Sequence, residues 1–271
     1  MLNRLTIPAI AILLVSIGPS NGSAQSWNFP GLNPAGFEAV PAGGIPPVRD
    51  LTGLWDPGRA GIGGQGQASA RDAARAPITP LGEEMMQLNH PGNGPREASI
   101  ADNNDPLNTV GDPSGFPRNV NYEFRPVQIV QLPDQVLMLY AFNRRWRVIW
   151  TDGRALPEDP DPRWFGYSVG HWEDDFTFVV DTVGLTDRTW LDNNGHPHST
   201  ALRVEERYQR VSQNTLELTV VIDDPLVYTG PWLSRDALPL KLLPPGTDVI
   251  EIIYAASEAQ AYQEYISSQT N

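Results

Sequence analysis

The stretch LRVEERYQRVSQNTLELTVVID, residues 202–223, decides how this chain reads. In its second half Leu216, Leu218, Val220 and Ile222 alternate with Thr215, Glu217, Thr219 and Val221, the period of two of a strand with one buried face. In its first half Leu202, Val204, Glu206 and Tyr208 fall on one face, with Glu205 and Arg207 on the other. Ser212, Gln213 and Asn214 between the halves are turn residues. The two halves form a hairpin by their spacing.

The same rhythm extends outward. VQIVQL and QVLMLYAF flank Pro133-Asp134, WRVIWT ends at Asp152-Gly153, and GYSVGHWE and FTFVVDTV flank Asp174-Asp175. Further strands are expected around YTGPWL, LPLKLL and VIEIIYA, then a C-terminal helix from Ser257. No internal repeat is visible, and no helix-length pattern separates the central strands, so parallel βαβ units are not expected. The fold class is therefore mainly β. The expected architecture is an antiparallel up-and-down or calycin/lipocalin-like barrel, with a β-sandwich as the alternative.

The N-terminal third has another texture. Residues 25–121 are dense in Pro, Gly and Asn and read as a Pro/Gly-rich segment that wraps the β domain of residues 122–271. Within it DLTGLW (50–55) reads as one strand. ITPLGEEMMQLNHP (78–91) reads as a short peripheral helix, with Thr79 as N-cap, Pro80 in the first helical position and Glu83 near the positive end of the dipole.

Composition narrows the setting. MLNRLTIPAIAILLVSIGPSNGSA (1–24) has a basic start at Arg4, an apolar run of about a dozen residues and a small-residue end, the layout of a secretory signal peptide. A periplasmic or secreted location follows, with no membrane attachment after cleavage. The chain has no cysteine, which removes disulfide and thiol chemistry and leaves stability to the apolar core. Its formal charge of −13 makes nucleic acid a poor partner, because phosphate binding draws on clustered Lys and Arg. Oligomeric state is not legible at this level.

The run PEDPDPRWFGYSVGHWEDDFTFVVDTVGLTDRTWLDNNGHPHSTALRVEERYQRV, with DLTGLW, DPSGFPR and TLELTVVIDDPLVY around it, resembles a family of exported bacterial proteins carrying a DRTWLDxxGHPHS signature. The likeness spans nearly the whole mature chain and brings no reaction with it. In that family a Cys often precedes the Pro-x-Gly-x-Pro-Arg motif, whereas here Asp112 precedes Pro113. Gly53-Leu54-Trp55 is also similar to the Gly-x-Trp of lipocalins.

Three sets of residues carry possible chemistry. In TWLDNNGHPHST (189–200) His196 and His198 flank Pro197, with Asp187 and Asp192 nearby. His-x-His in extended backbone begins many metal sites, but the central proline can splay the rings, and a third ligand would have to come from Asp187, Asp192, Glu205 or Glu206. A divalent metal at His196/His198, acid/base or ligand contact, and a purely structural turn are the competing readings, and no cofactor is expected. Glu206 lies on the apolar face of its strand, where it either serves proton transfer or pairs with an Arg such as Arg145, Arg188 or Arg203; Asp181 shares a face with Val179 and Val183. Trp164, Tyr167, Arg188, Trp190, Tyr208 and Arg118 are the expected ligand-binding residues, suited to an aromatic, terpenoid or glycoside-like molecule held by ring faces and a few polar groups. The expected function is that of an exported acid/base enzyme of lyase, isomerase or hydrolase type using His196, His198, Glu206, Asp187 and Asp192. The alternative is a noncatalytic lipocalin-like binding protein.

Overall fold

A computed structural model of the chain describes residues 43–61, 77–249 and parts of 251–268. The expected signal peptide lies outside the described residues. Nine strands form one closed barrel in sequence order: β1 (Gly53–Asp56), β2 (Val127–Gln131), β3 (Gln135–Tyr140), β4 (Arg145–Trp150), β5 (Tyr167–Trp172), β6 (Thr177–Val183), β7 (Arg203–Ser212), β8 (Thr215–Asp223) and β9 (Trp232–Leu242). The barrel, and not the sandwich, is the architecture. β1, from the Pro/Gly-rich segment, pairs with both β2 and β9 and so closes the wall.

The hairpin that opened the sequence reading is the longest antiparallel pairing in the wall, running from Arg203↔Asp223 to Ser212↔Thr215. Leu216, Leu218, Val220 and Ile222 are all fully buried, as the alternation requires. They join Trp55, Ile129, Met138, Ile149, Phe178 and Tyr208 in one core inside the barrel.

Two departures from a simple meander have physical causes. Every neighbouring pair is antiparallel except β4 and β5, which are parallel through Ile149↔Ser168 and Trp150↔Val169. A parallel pair needs a connection long enough to travel back along the barrel, and residues 151–166, stiffened by Pro157, Pro160 and Pro162, supply it without a helix. Second, YTGPWL and LPLKLL are not two strands. Trp232–Leu242 is a single strand whose register against β8 shifts between Leu218 and Val221, near Ala237 with φ +50. In VIEIIYA the described residues show an isolated parallel bridge, Ile252 to Phe142. Helical backbone is described at several positions from Ser257 to Ser268.

Outside the wall stand α1 (Pro80–Leu88), α2 (Pro106–Thr109) and α3 (Arg118–Asn121). Thr79 caps α1 by accepting from the Gly82 amide at 3.1 Å, with Pro80 in the first turn. Asp105 caps α2, accepting from the Leu107 amide at 3.1 Å.

Candidate functional site

Strand direction gathers the polar motifs at one end of the barrel. The β1–β2, β3–β4, β6–β7 and β8–β9 connections all emerge there, while tight turns after β2, β5 and β7 close the opposite end. The DPSGFPR motif folds over this end and into it. Phe116 and Val120 belong to the barrel core, and all four residues of α3 are buried. Gly115, at φ +68, lets the motif lie against the next layer: a Cβ there would stand 2.6 Å from the Thr189 methyl carbon.

That next layer is residues 189–199, every one of which is buried. A buried segment without regular structure must find a partner for its backbone polar groups, and here side chains provide them. Asn89 Nδ2 donates to the Gly195 carbonyl at 2.9 Å, Asn121 Nδ2 to Leu191 O at 3.2 Å, and the Tyr228 hydroxyl to Pro197 O at 3.0 Å. Asp224, fully buried, accepts from the Ser199 amide at 2.6 Å and from its hydroxyl at 2.8 Å.

The two histidines of the loop have separate partners. His196 Nδ1 meets Asp192 Oδ2 at 2.7 Å, while Asp192 Oδ1 accepts the amides of Asn194 at 2.8 Å and His196 at 3.4 Å. The Asp192 carboxylate is thus fixed by the backbone and in turn fixes the imidazole, whose Nε2 has no hydrogen-bond partner among the described residues. His198 is held between the Thr189 hydroxyl, 2.8 Å from Nε2, and the Ser199 carbonyl, 3.2 Å from Nδ1. Burial lowers its pKa below the ordinary 6.5, against the smaller opposing effects of the Ser199 carbonyl, Asp224 and Asp187. Among the described residues no group of three or more His, Asp or Glu is arranged to hold a metal ion.

Arg118 lies under this loop. It makes two hydrogen bonds to Asp105, at 2.7 and 2.5 Å, and its guanidinium sits 5.7 Å from the centre of the Trp190 ring. Burial opposes the Arg118 charge, but the facing carboxylate outweighs it and the pKa is raised. Asp187 and Arg188 are exposed on the outer edge. Arg188 pairs with Asp112 at 2.9 Å and lies over Trp164, so Asp112 ties DPSGFPR to DRTW. Tyr167 is half-buried beside Arg163.

Glu206 and Tyr208 belong to a different level, inside the barrel. Glu206 Oε2 takes Arg147 Nη2 at 2.6 Å, and its other oxygen accepts from the Tyr208 hydroxyl at 2.8 Å. Arg147 also donates to Ser168 and Thr182, at 2.9 and 2.7 Å, and stacks on the Phe116 ring of the DPSGFPR motif at 4.0 Å. Burial works against the Arg147 charge, and Glu206 more than offsets it, so its pKa is raised. Of the partners expected for Glu206, none is the one found. Arg147 falls on the face of buried Ile149 in β4, but by alternation so does Arg145, which stands exposed, so spacing alone did not single out the partner.

Asp181 faces outward, half-buried and directly opposite Glu205. Burial and that neighbouring carboxylate raise its pKa, while His171 and Arg203 act against them. With Arg203, Glu205, Asp223, Leu156 and Pro231 it lines a hollow of about 280 Å³ on the outer wall. The residues considered for function therefore fall into a cap group (His196, His198, Asp192, Arg118, Trp190), a rim group (Asp187, Arg188, Trp164, Tyr167) and an interior group (Glu206, Tyr208), with Asp181 on the outer wall. Asp105, Asn119, Tyr140, Arg147 and Asp224 were not singled out from the sequence. No family model, curated protein or solved structure matches the chain.

Proposed function

We propose that this is an exported acid/base enzyme that binds a small organic molecule at the capped end of the barrel and transfers a proton through His196. The observation that carries this reading is the Asp192–His196 contact at 2.7 Å. A carboxylate anchored by two backbone amides orients the ring through Nδ1 and leaves Nε2 as the atom that exchanges a proton with substrate. Asp192 supports an imidazolium formed during the reaction. His198, held on both nitrogens, positions the loop, and Glu206 is committed to Arg147 and Tyr208 and serves as an anchor for the interior. Trp190 and Arg118 of the cap and Trp164 of the rim supply ring faces and charge for an aromatic, terpenoid or glycoside-like ligand. The reaction class is lyase, isomerase or hydrolase, and the N-terminal layout supports a periplasmic or secreted setting.

A closed barrel is also a container, and that architecture favours a second reading, a noncatalytic ligand carrier. The two separate in one experiment. A panel of aromatic, terpenoid and glycoside compounds is screened by thermal shift, since a bound ligand raises apparent stability by mass action. Each hit is then incubated with wild type, His196→Gln and Asp192→Asn. Chemical conversion by wild type that falls at least about a hundredfold in His196→Gln, a typical share of general acid–base catalysis, supports the enzyme. Hits recovered unchanged support the carrier. Conversion equal in wild type and His196→Gln overturns the role of the dyad.

A further inference from the structure

His196 is 7% exposed and Asp192 5%, so the imidazole that would meet substrate sits under cover. Part of that cover is residues 90–104, which connect α1 to α2. They lie on Asn194 and Gly195, two of the three residues between Asp192 and His196. A Cβ at Gly94 would stand 2.4 Å from Asn194 Oδ1, and one at Gly195 would stand 3.4 Å from the Pro91 ring. Asn89, at the root of the segment, donates from Nδ2 to the Gly195 carbonyl at 2.9 Å.

The segment is bonded to itself. The Asn104 amide donates to the His90 carbonyl at 3.1 Å and the Ala98 amide to the Pro91 carbonyl at 2.8 Å. The Asn104 side chain accepts the His90 amide at 2.7 Å and donates to the Leu88 carbonyl at 2.8 Å, which joins the two ends. Among the described residues every hydrogen bond of residues 90–104 ends within residues 88–105, so none has to break for the segment to leave the cap as a unit. Apolar burial holds it weakly too, since Pro91 alone among residues 90–104 is buried. Arg96 Nη1 is enclosed there without a hydrogen-bond partner, a desolvation cost of the closed position that opening removes. A loop whose ends meet and which buries little apolar surface opens at low free energy.

We propose that residues 90–104 form a lid over the Asp192–His196 dyad, which swings out from its joined ends to admit substrate. The inference rests on His196 being the group that meets substrate, but its test needs no substrate. The probe is diethyl pyrocarbonate, which acylates an accessible imidazole nitrogen, read residue by residue by mass spectrometry with exposed His171 of β5 as the internal standard. The full chain carries Gly94→Cys and Asn194→Cys; the Cβ positions stand 3.7 Å apart, within disulfide range, and the chain has no cysteine of its own. Oxidation, which locks the lid, is expected to slow labelling of His196 at least about tenfold, and dithiothreitol to restore it. Asn89→Ala, which frees the root, is expected to speed labelling about fivefold, the worth of one hydrogen bond. Equal labelling of the oxidised and reduced forms, no gain in Asn89→Ala, or a wild-type His196 as inert as His198, whose two nitrogens are both bonded, would overturn the lid. If the cysteine pair fails to fold, Asn89→Ala against wild type decides. A lid that opens in a protein that converts no compound overturns the acid/base reading alone.

Discussion

The barrel wall and the loop that caps it bury their residues by opposite means. In β7 and β8 the ladder satisfies the backbone, so burial only has to sort side chains, one face in and one face out. In residues 189–199 there is no ladder, and Asn89, Asn121, Tyr228, Asp192 and Asp224 do the same work with side chains reaching from three other segments and from the loop itself. A wall residue is replaceable by any side chain of like size and polarity. A cap residue is tied to the one carbonyl or amide it serves.

The sharpest way to probe the wall from within is Arg147→Ala, which leaves the Glu206 carboxylate buried without its partner. It should cost about 3–5 kcal/mol in chemical denaturation. Arg147→Met with Glu206→Leu, which removes both charges, should cost markedly less. A double variant as damaged as the single one would mean that the pair is required for packing and not merely balanced.

Leu218→Ala, in the regular wall, should cost about 2–5 kcal/mol. Thr219→Ala, one residue on, should cost about 1 kcal/mol, because its hydroxyl accepts the Ala237 amide at 3.1 Å beside the register shift. Equal losses in denaturant titration would mean that the alternation does not govern β8.

In the cap, Asp224→Ala strands the Ser199 amide and hydroxyl and should cost about 1–3 kcal/mol although it removes no apolar surface. A negligible change would show that water reaches the loop and that its side-chain scaffolding is dispensable.

The smallest effect is a pH dependence. His198 has a folded-state pKa below the unfolded 6.5, so the unfolded chain takes up the proton first. Its neutral form contributes fully above pH 6.5, and that contribution is lost as pH falls from 6.5 toward the folded pKa. The melting temperature of wild type should therefore drop more steeply than that of His198→Gln between pH 6.5 and more acid conditions, and the two should run parallel above 6.5. Parallel curves throughout would place His198 in contact with solvent.

Legibility in the sequence divides along the same line. Alternation in TLELTVVID, turn pairs such as Asp174-Asp175 and the Thr79-Pro80 start of α1 are local signals, and the strands and the helix stand where they point. The cap was legible only as a concentration of polar residues. Eleven consecutive buried residues rich in Asp, Asn and His look like a surface turn, because what buries them is a partner list scattered from Asn89 to Tyr228. Glu206 was legible as an inward carboxylate from its strand face, but its partner was not, since cross-barrel pairing is not a matter of spacing.

The sequence by itself determined that this is a β protein with period-two strands, a capped helix and no thiol chemistry, because those follow from neighbours in the chain and from composition. Tertiary structure alone decided the rest. It let a proline-stiffened crossover make β4 and β5 parallel, fused two expected strands into β9 through a bulge, brought β1 round to close the barrel, and paired Arg147 with Glu206 inside it. Each of these depends on which groups meet across a closed sheet, and closure brings together residues whose separation along the chain carries no trace of their contact.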